Sequence, residues 1–307
     1  MNWTKRLRLK HLEHLIILAR TGNLSDTARL THSTQPGLSR WLKELEEDVG
    51  APLFERHARG LRPTPTGKIL IAHAQRISSE IERTQHNLDA YQQGVEQVIR
   101  IGTSPATSAN FVPQAIMTFL ARHPKTRVEI QESTMDALLK KLKSGQLDVV
   151  VGRFDNYQPE HTLLNETLYS EKLYVIARRD HPLCNHPSLS WETLCQYDWI
   201  VWPHGAPIRT RLDAALTRAG RKPPTYRIES ASQVSSLWLL SHSDMISISS
   251  EHVARYFISR GLISFLDFEI EVDSAPGAVG MCWRDEQHPQ ESTLELLNCL
   301  RQSVTAL

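Results

Sequence analysis

Gln35, Ser39, Arg40 and Lys43 share one edge of a single stretch, and all four side chains suit contact with a nucleic acid duplex. Glutamine can bond an adenine edge at two points, arginine can do the same to guanine, and serine serves bases or phosphates. Behind that edge, Leu38, Leu42, Leu45 and Val49 recur at spacings of four, three and four, the stripe of a helix facing a core. Ser33 and Thr34 can cap its start, and Pro36 suits a first turn where no amide hydrogen is needed. Upstream, Ser25 can cap a short helix through Leu30, in which Ala28 is small enough for two helices to cross closely. His32 falls in the tight connection, and histidine tolerates left-handed backbone better than most residues. These features predict a helix-turn-helix over residues 24–43. A polar face on any globular helix has a similar composition, so the flanking elements carry weight.

Upstream of these, Leu9, Leu12, Ile16 and Ala19 predict a first helix that stops at Gly22-Asn23 and completes a three-helix core. After Gly50, residues 52–56 predict a short strand anchored by Phe54, with a turn at 57–60 and a return through 61–63. Such a hairpin is either a solvated basic turn or a wing that brings Arg56, Arg59 and Arg62 to DNA backbone or minor groove. Thr64-Pro65 starts a long helix to about Tyr91. Along it Leu70, Ala74, Ile77, Ile81, Thr84, Leu88 and Tyr91 alternate spacings of four and three on an otherwise polar helix. With no evident partner in its own chain, this seam predicts a coiled-coil contact between two copies through Leu70, Ile77, Ile81 and Leu88. Packing on its own domain is the alternative.

From Val98 onward, strands and helices alternate. Strands over 98–102, 127–131 and 147–151 enclose helices over 112–120 and 135–142, a βαβαβ unit that predicts a parallel sheet. A second such unit starts at Leu173, with strands near 199–202, 226–228 and 245–249 and helices around Leu212, Trp238 and Val253. Strands at 262–266 and 278–283 and a helix around Leu294, Leu297 and Leu300 close the chain. Two α/β lobes, crossed twice by the chain, would leave a ligand cleft at the carboxyl ends of the strands.

A chain of 307 residues, 40% hydrophobic and 22% charged, suits a soluble protein of two or three domains. Its net charge of +1 hides an asymmetry: residues 1–68 hold 12 Lys and Arg against 7 Asp and Glu, the remainder 23 against 27. A basic head on a slightly acidic body suits a head that meets phosphate. Cys184, Cys195, Cys282 and Cys299 lack CxxC or zinc spacing, which predicts packed thiols in a reducing cytoplasm. The apolar run 15–19 is too short for a signal peptide or membrane span. No GxSxG, HExxH, GxxxxGK[ST] or GxGxxG is present, so neither an enzyme, a cofactor nor a metal is expected. Ser241, His242 and Asp244 lie too close together to face one another as a triad.

The order of parts resembles the LysR-type transcriptional regulators over nearly the whole chain. Ala28, Thr34-Gln35-Pro36-Gly37-Leu38-Ser39-Arg40, Leu45-Glu46-Glu47 and residues 50–56 carry the likeness in the head, continued by Gly60 and Thr64 to Gly67. Residues 99–102, Phe119 with Pro124, residues 145–148 and 180–183 carry it in the body. The resemblance implies a winged helix-turn-helix head (1–65, all α apart from its wing) and a linker and dimerisation helix (66–94). It further implies a two-lobed, periplasmic-binding-protein-like α/β effector domain (95–307), lobe 1 at about 95–167 and 270–307, lobe 2 at about 168–269. It also implies dimers or tetramers that bend double-stranded promoter DNA under control of a small-molecule effector. By position, Thr34, Gln35, Pro36, Ser39 and Arg40, with Arg56 and Arg62 on the wing, are the implied DNA contacts.

Three positions depart from that pattern. Thr31 and Ser33 stand where the family often has Leu and Val, Trp41 where a polar residue is common, and Ser241-His242-Ser243-Asp244 where a glycine-rich turn is usual. Trp41 is expected to pack rather than contact bases. Thr103, Ser104, Ser133, Thr134 and Arg153 should rim the cleft from one lobe, and His204, Gly205, Ser232 and Gln233 from the other. Hydroxyls with a guanidinium suit an oxyanion, so an organic acid or sugar-related metabolite is expected, although Arg153 could equally pair with Asp155. A regulator without a ligand, its cleft filled by Trp202 or Trp238, and a solute-binding protein are the competing functions.

Overall fold

A computed structural model describes residues 4, 6–58, 60–154, 162–224, 226–270, 277–286 and 290–305. The chain forms two compact units, residues 1–98 with 140–147, and residues 99–139 with 148–307.

The first unit opens with helices α1 (Leu9–Thr21), α2 (Leu24–Leu30) and α3 (Gln35–Val49). Gly22, at φ +63°, ends α1 in the left-handed conformation that glycine adopts at little cost. The cap of α2 is Asn23 rather than the expected Ser25: its side-chain oxygen accepts from Ser25 N at 2.8 Å and Asp26 N at 3.3 Å. Ser25 therefore sits two residues past the cap, inside the first turn of the helix. His32 adopts φ +50° between α2 and α3, as its place in the tight turn predicts. Strands β1 (Phe54–His57) and β2 (Gly60–Pro63) pair antiparallel, and α4 (Pro65–Gln92) follows, capped by Thr64 Oγ1 accepting from Gly67 N at 3.0 Å. Leu12, Leu15, Leu18, Leu42, Leu45, Leu53, Phe54 and Ile71 form the core.

The second unit has two sheets, and α5 (Pro105–Ser108), α7 (Met135–Lys143) and α8 (Trp191–Leu194) are shorter helices along this part of the chain. In the first, β4 (Thr126–Glu132), β3 (Gln97–Thr103), β5 (Val149–Arg153), β12 (Gly277–Arg284) and β6 (Leu163–Glu171) lie side by side in that order. α6 (Phe111–Arg122) and α12 (Glu291–Val304) pack there, burying Phe111, Phe119, Leu296 and Leu300. In the second, the order is β11 (Ile263–Ile270), β7 (Leu173–Arg178), β10 (Ile246–Ser250), β8 (Trp199–Val201) and β9 (Tyr226–Glu229). One of its faces buries Val175, Trp199, Ile248 and, from α9 (Pro207–Arg218), Leu212 and Leu216. The other buries Ile176 and Ile200 with Leu240 of α10 (Gln233–Ser241) and Ala254 of α11 (Glu251–Ile258).

Two expectations need correction. The sheets are mixed, not parallel: β3 and β5 run parallel, as do β10 with β8 and β8 with β9, but β12 opposes β5 and β6, and β7 opposes β10 and β11. The strands at either end of the two crossings run against their neighbours, and spacing along the chain does not encode that pairing. The first crossing also falls later than residue 168, because Ser170 pairs with Ala278 and Glu171 with Gly277 in the first sheet. A register shift between Val279 and Gly280, opposite Tyr169 and Thr167, breaks the two-residue period of β6 and hides it as a strand.

Candidate nucleic-acid interface and ligand cleft

On α3 Leu38, Leu42 and Leu45 of the apolar stripe are buried, while Gln35, Pro36, Ser39, Arg40 and Lys43 are exposed along the opposite edge. Thr34 is exposed too, but its Oγ1 accepts from Gly37 N at 3.3 Å and so caps the helix. Lys43 lies 3.7 Å from Glu47, an exposed pair one turn apart that leaves the ammonium accessible to phosphate. Trp41 packs rather than projecting: its ring lies 5.2 Å from His11 and edge-on to His14 at 5.1 Å. Ser33 Oγ stands 3.3 Å from His14 Nε2, and Thr31 Oγ1 donates to Thr27 O at 2.9 Å, so the polar residues of the turn are satisfied locally. Burial holds both His11 and His14 below the ordinary imidazole range.

The hairpin separates two of the wing arginines. Glu55 pairs with Arg62 and Arg56 with Leu61, so Arg56 and Arg62 project from opposite faces although both are exposed. Arg59 lies outside the described residues. Glu46 ties this wing to α3, its Oε1 accepting from Leu53 N at 2.7 Å and Phe54 N at 3.1 Å.

Along α4 the apolar seam divides. Leu70, expected in the dimer contact, is half-buried against the head's own core beside buried Ala74. Its neighbourhood is where the helix lies against α1, so the core claims that turn of the seam. Ile77, Ile81, Leu88 and Tyr91 are 43%, 42%, 60% and 68% exposed, an apolar strip beyond the head. A different face of α4 is covered within the same unit, where buried Arg83 donates to Gly145 O at 3.1 Å.

Within the second unit, a cavity of about 580 Å³ is lined by both lobes. Ser104, Ser133, Thr134 and Arg153 contribute from the first lobe, His204, Gly205 and Gln233 from the second, all expected at strand ends. Two expected residues are absent from the lining. Thr103 is fully buried and its Oγ1 bonds Thr107 Oγ1 at 2.8 Å, because it is still inside β3 and alternation turns it inward. Ser232 caps α10, accepting from Ser235 N at 3.2 Å. Gly152 makes the first-lobe wall feasible, since a Cβ there would collide with Met135 and with Ser104, whose Oγ would lie at 2.8 Å.

Arg153 is only 7% exposed yet reaches the cavity, where its guanidinium can offer a planar set of N–H donors. Asp155, its alternative partner, lies outside the described residues. Nearby His252 is held below the usual imidazole range, chiefly by burial, with Glu251 opposing and Arg255 and Arg153 reinforcing the shift. Its ring meets Tyr169 edge-on at 4.8 Å, a contact between the lobes. Residues 202–206 form the opposite wall and are buttressed from behind. Arg209 donates to Trp202 O at 3.2 Å, binds Asp213 through Nε, and stacks 3.9 Å above the Tyr226 ring. Tyr226 donates to Asp213 at 2.6 Å, and burial first, then that carboxylate, pushes its hydroxyl well above the usual phenol range.

Trp202, named as a side chain that could fill the cleft, lines the cavity, and so do Ser247 and Ser249, which were not foreseen as site residues. The clue was present in the alternation of Ile246-Ser247-Ile248-Ser249, which puts hydroxyls on one face of a central strand. Trp238 does not fill the cleft; it is 61% exposed and stacks on His242 at 4.3 Å. Ser241 Oγ lies 3.0 Å from His242 Nδ1, but Asp244 is bonded to Arg178 at 2.9 Å, so the three form no relay. Side chains replace glycine in that turn: Ser243 Oγ donates to Leu239 O at 2.7 Å and accepts from Met245 N at 3.3 Å. Among the described residues no cluster fit to hold a metal occurs, and no helix is long and apolar enough to cross a membrane.

Comparison with known proteins bears on both sites. A family model described as "LysR substrate binding domain" matches residues 92–305, and "Bacterial regulatory helix-turn-helix protein, lysR family" matches residues 9–68. The HTH-type transcriptional regulator GalR of Pseudomonas putida is 31% identical over 296 residues, 96% of this chain and 74% of its own length. GbpR of Azospirillum brasilense, another HTH-type transcriptional regulator, is 29% identical over 303 residues, covering 98% and 88%. Among solved structures, CbnR complexed with its target DNA matches with a TM-score of 0.58 at 21% identity over 97% of this chain and 100% of its own. A full-length OxyR variant from Pseudomonas aeruginosa matches with a TM-score of 0.57 at 22% identity, covering 97% and 94%. At those identities the likeness concerns the fold.

Proposed function

The chain belongs to the LysR family of DNA-binding transcriptional regulators with an effector-binding domain, and from that premise we propose how its own residues divide the work. Residues 1–65 are the DNA-binding head, 66–94 the linker and dimerisation helix, and 95–307 the effector domain. Helix α3 enters the major groove of promoter DNA, with Gln35, Ser39 and Arg40 at base edges and Lys43, Arg56 and Arg62 at phosphates. Two copies pair through Ile77, Ile81 and Leu88, which sets two heads on one face of the duplex. A small organic anion seated between the lobes, against Arg153, Ser104 and Thr134, alters how the pair holds or bends DNA.

The observation that carries this reading is the division of α3 into a buried leucine stripe and an exposed Gln-Ser-Arg-Lys edge beside a cationic wing. A ligand-free regulator would need the cleft filled by side chains, and with Trp238 turned outward about 580 Å³ stays open. The test is capture of genomic fragments by the full-length protein, followed by footprinting of Gln35→Ala and Arg40→Ala. Each substitution should cost on the order of 1–3 kcal/mol and relax base preference. Footprints unchanged in both variants would remove α3 from recognition.

A further inference from the structure

The cavity in the effector domain is not a uniform cleft. One end has the buried Arg153 guanidinium with Ser104 and Thr134, whereas the other penetrates the second lobe between its sheet and helices α10 and α11. That inner end is lined by Ile176, Ile200, Leu237, Leu240, Phe257 and Ile263. The space exists because of β10. A central strand covered by helices on both faces normally carries bulky apolar residues on both. Here Ile246 and Ile248 fill the core on the α9 side, while Ser247 and Ser249 stand where side chains of that size would close the other. Both serines have already committed their hydroxyl hydrogens, Ser247 Oγ donating to Ile200 O at 2.7 Å and Ser249 Oγ to Ser250 O at 3.2 Å, so neither is a free donor towards the pouch. A ligand group entering there meets mostly hydrocarbon, with serine oxygens that can accept a hydrogen bond as the polar exception.

Resting on the reading of this cleft as an anion site, we propose that its ligand is an amphiphilic monocarboxylate. Its carboxylate lies against Arg153, Ser104 and Thr134, and a hydrocarbon chain or ring occupies the pouch over Ser247. A planar guanidinium fork matches a carboxylate in two parallel hydrogen bonds. A sugar would instead desolvate several hydroxyls against isoleucine and leucine with only a few serine oxygens to replace water. A short hydrophilic acid would leave most of about 580 Å³ unfilled.

The test uses full-length protein titrated by calorimetry with straight-chain monocarboxylates from acetate to octanoate. Affinity should rise about four-fold per added methylene until the pouch is full, as burial of hydrocarbon requires. Octanol, with the chain but no carboxylate, should bind more weakly than octanoate. Ser247→Leu fills the pouch and should flatten the dependence on chain length; Ser236→Leu, from the facing helix, should do the same if Ser247→Leu fails to fold. Affinity independent of chain length would overturn the amphiphile while leaving the anion site standing. Octanoate binding at wild-type strength in both variants would also overturn it. Binding by no member of the series would overturn both.

Discussion

Glu46 holds the recognition helix and the wing together, so its replacement should damage stability and DNA grip at once. Its Oε1 accepts two backbone amides, Leu53 N at 2.7 Å and Phe54 N at 3.1 Å, and both of those residues belong to the buried core of the head. In Glu46→Ala both amides lose their acceptor. An orphaned buried donor costs about 1–3 kcal/mol; Glu46 itself is half-buried and water reaches part of the gap, so about 2–4 kcal/mol is expected for the pair. In Glu46→Gln a neutral carbonyl replaces the carboxylate, the bonds persist without charge assistance, and the loss should be about 1 kcal/mol. For a unit of this size each kcal/mol moves the midpoint by roughly 4–8 °C. The head transition of the full chain, followed by scanning calorimetry, should therefore drop by about 8–32 °C in the alanine variant and roughly 4–8 °C in the glutamine variant. Because the wing meets backbone rather than bases, DNA affinity should fall alike for all sequences while base preference is kept. An alanine variant melting within about 2 °C of wild type, or a glutamine variant as damaged as the alanine one, would refute the reasoning.

Three other outcomes are expected. Ile81→Glu puts a charge in the exposed strip of α4 and should shift the protein to monomers in sedimentation; an unchanged mass would exclude that strip from pairing. Arg62→Ala should weaken binding to every sequence and lower the slope of log affinity against log salt by about one, and a slope that stays as steep would place Arg62 away from phosphate. His11 and His14 titrate below their ordinary value in the folded head, so the unfolded chain binds more protons as pH falls below about 6.5. Head stability is thus full above that value and declines as pH drops further; His14→Gln, able to keep a bond to Ser33, should have a shallower decline between pH 7.5 and 5.5, and an equal slope would dismiss His14 as a contributor.

The helices of the head were legible in the sequence because their determinants are local. Thr34 before Pro36, the leucines of α3 and the histidine in the tight turn act within about one helical turn, and each does in the structure what its position implies. Strand-end loops were legible too, and Ser104, Ser133, Thr134, Arg153, His204, Gly205 and Gln233 do meet around one cavity. What stayed hidden depends on register between segments far apart in the chain. Alternation sends Thr103 inward one residue before Ser104 reaches the cleft, and the pairing of Glu55 with Arg62 decides that Arg56 faces the other way. A bulge conceals β6, and Leu70 belongs to the head core although the same seam leaves Ile77 and Ile81 exposed. The pouch is the clearest case: two serines in a strand specify nothing until helices on that face fail to close over them. Periodicity sets what each segment buries, because neighbours three or four residues apart share a face. Which surface it is buried against, and where space is left over, is settled only when distant segments pack.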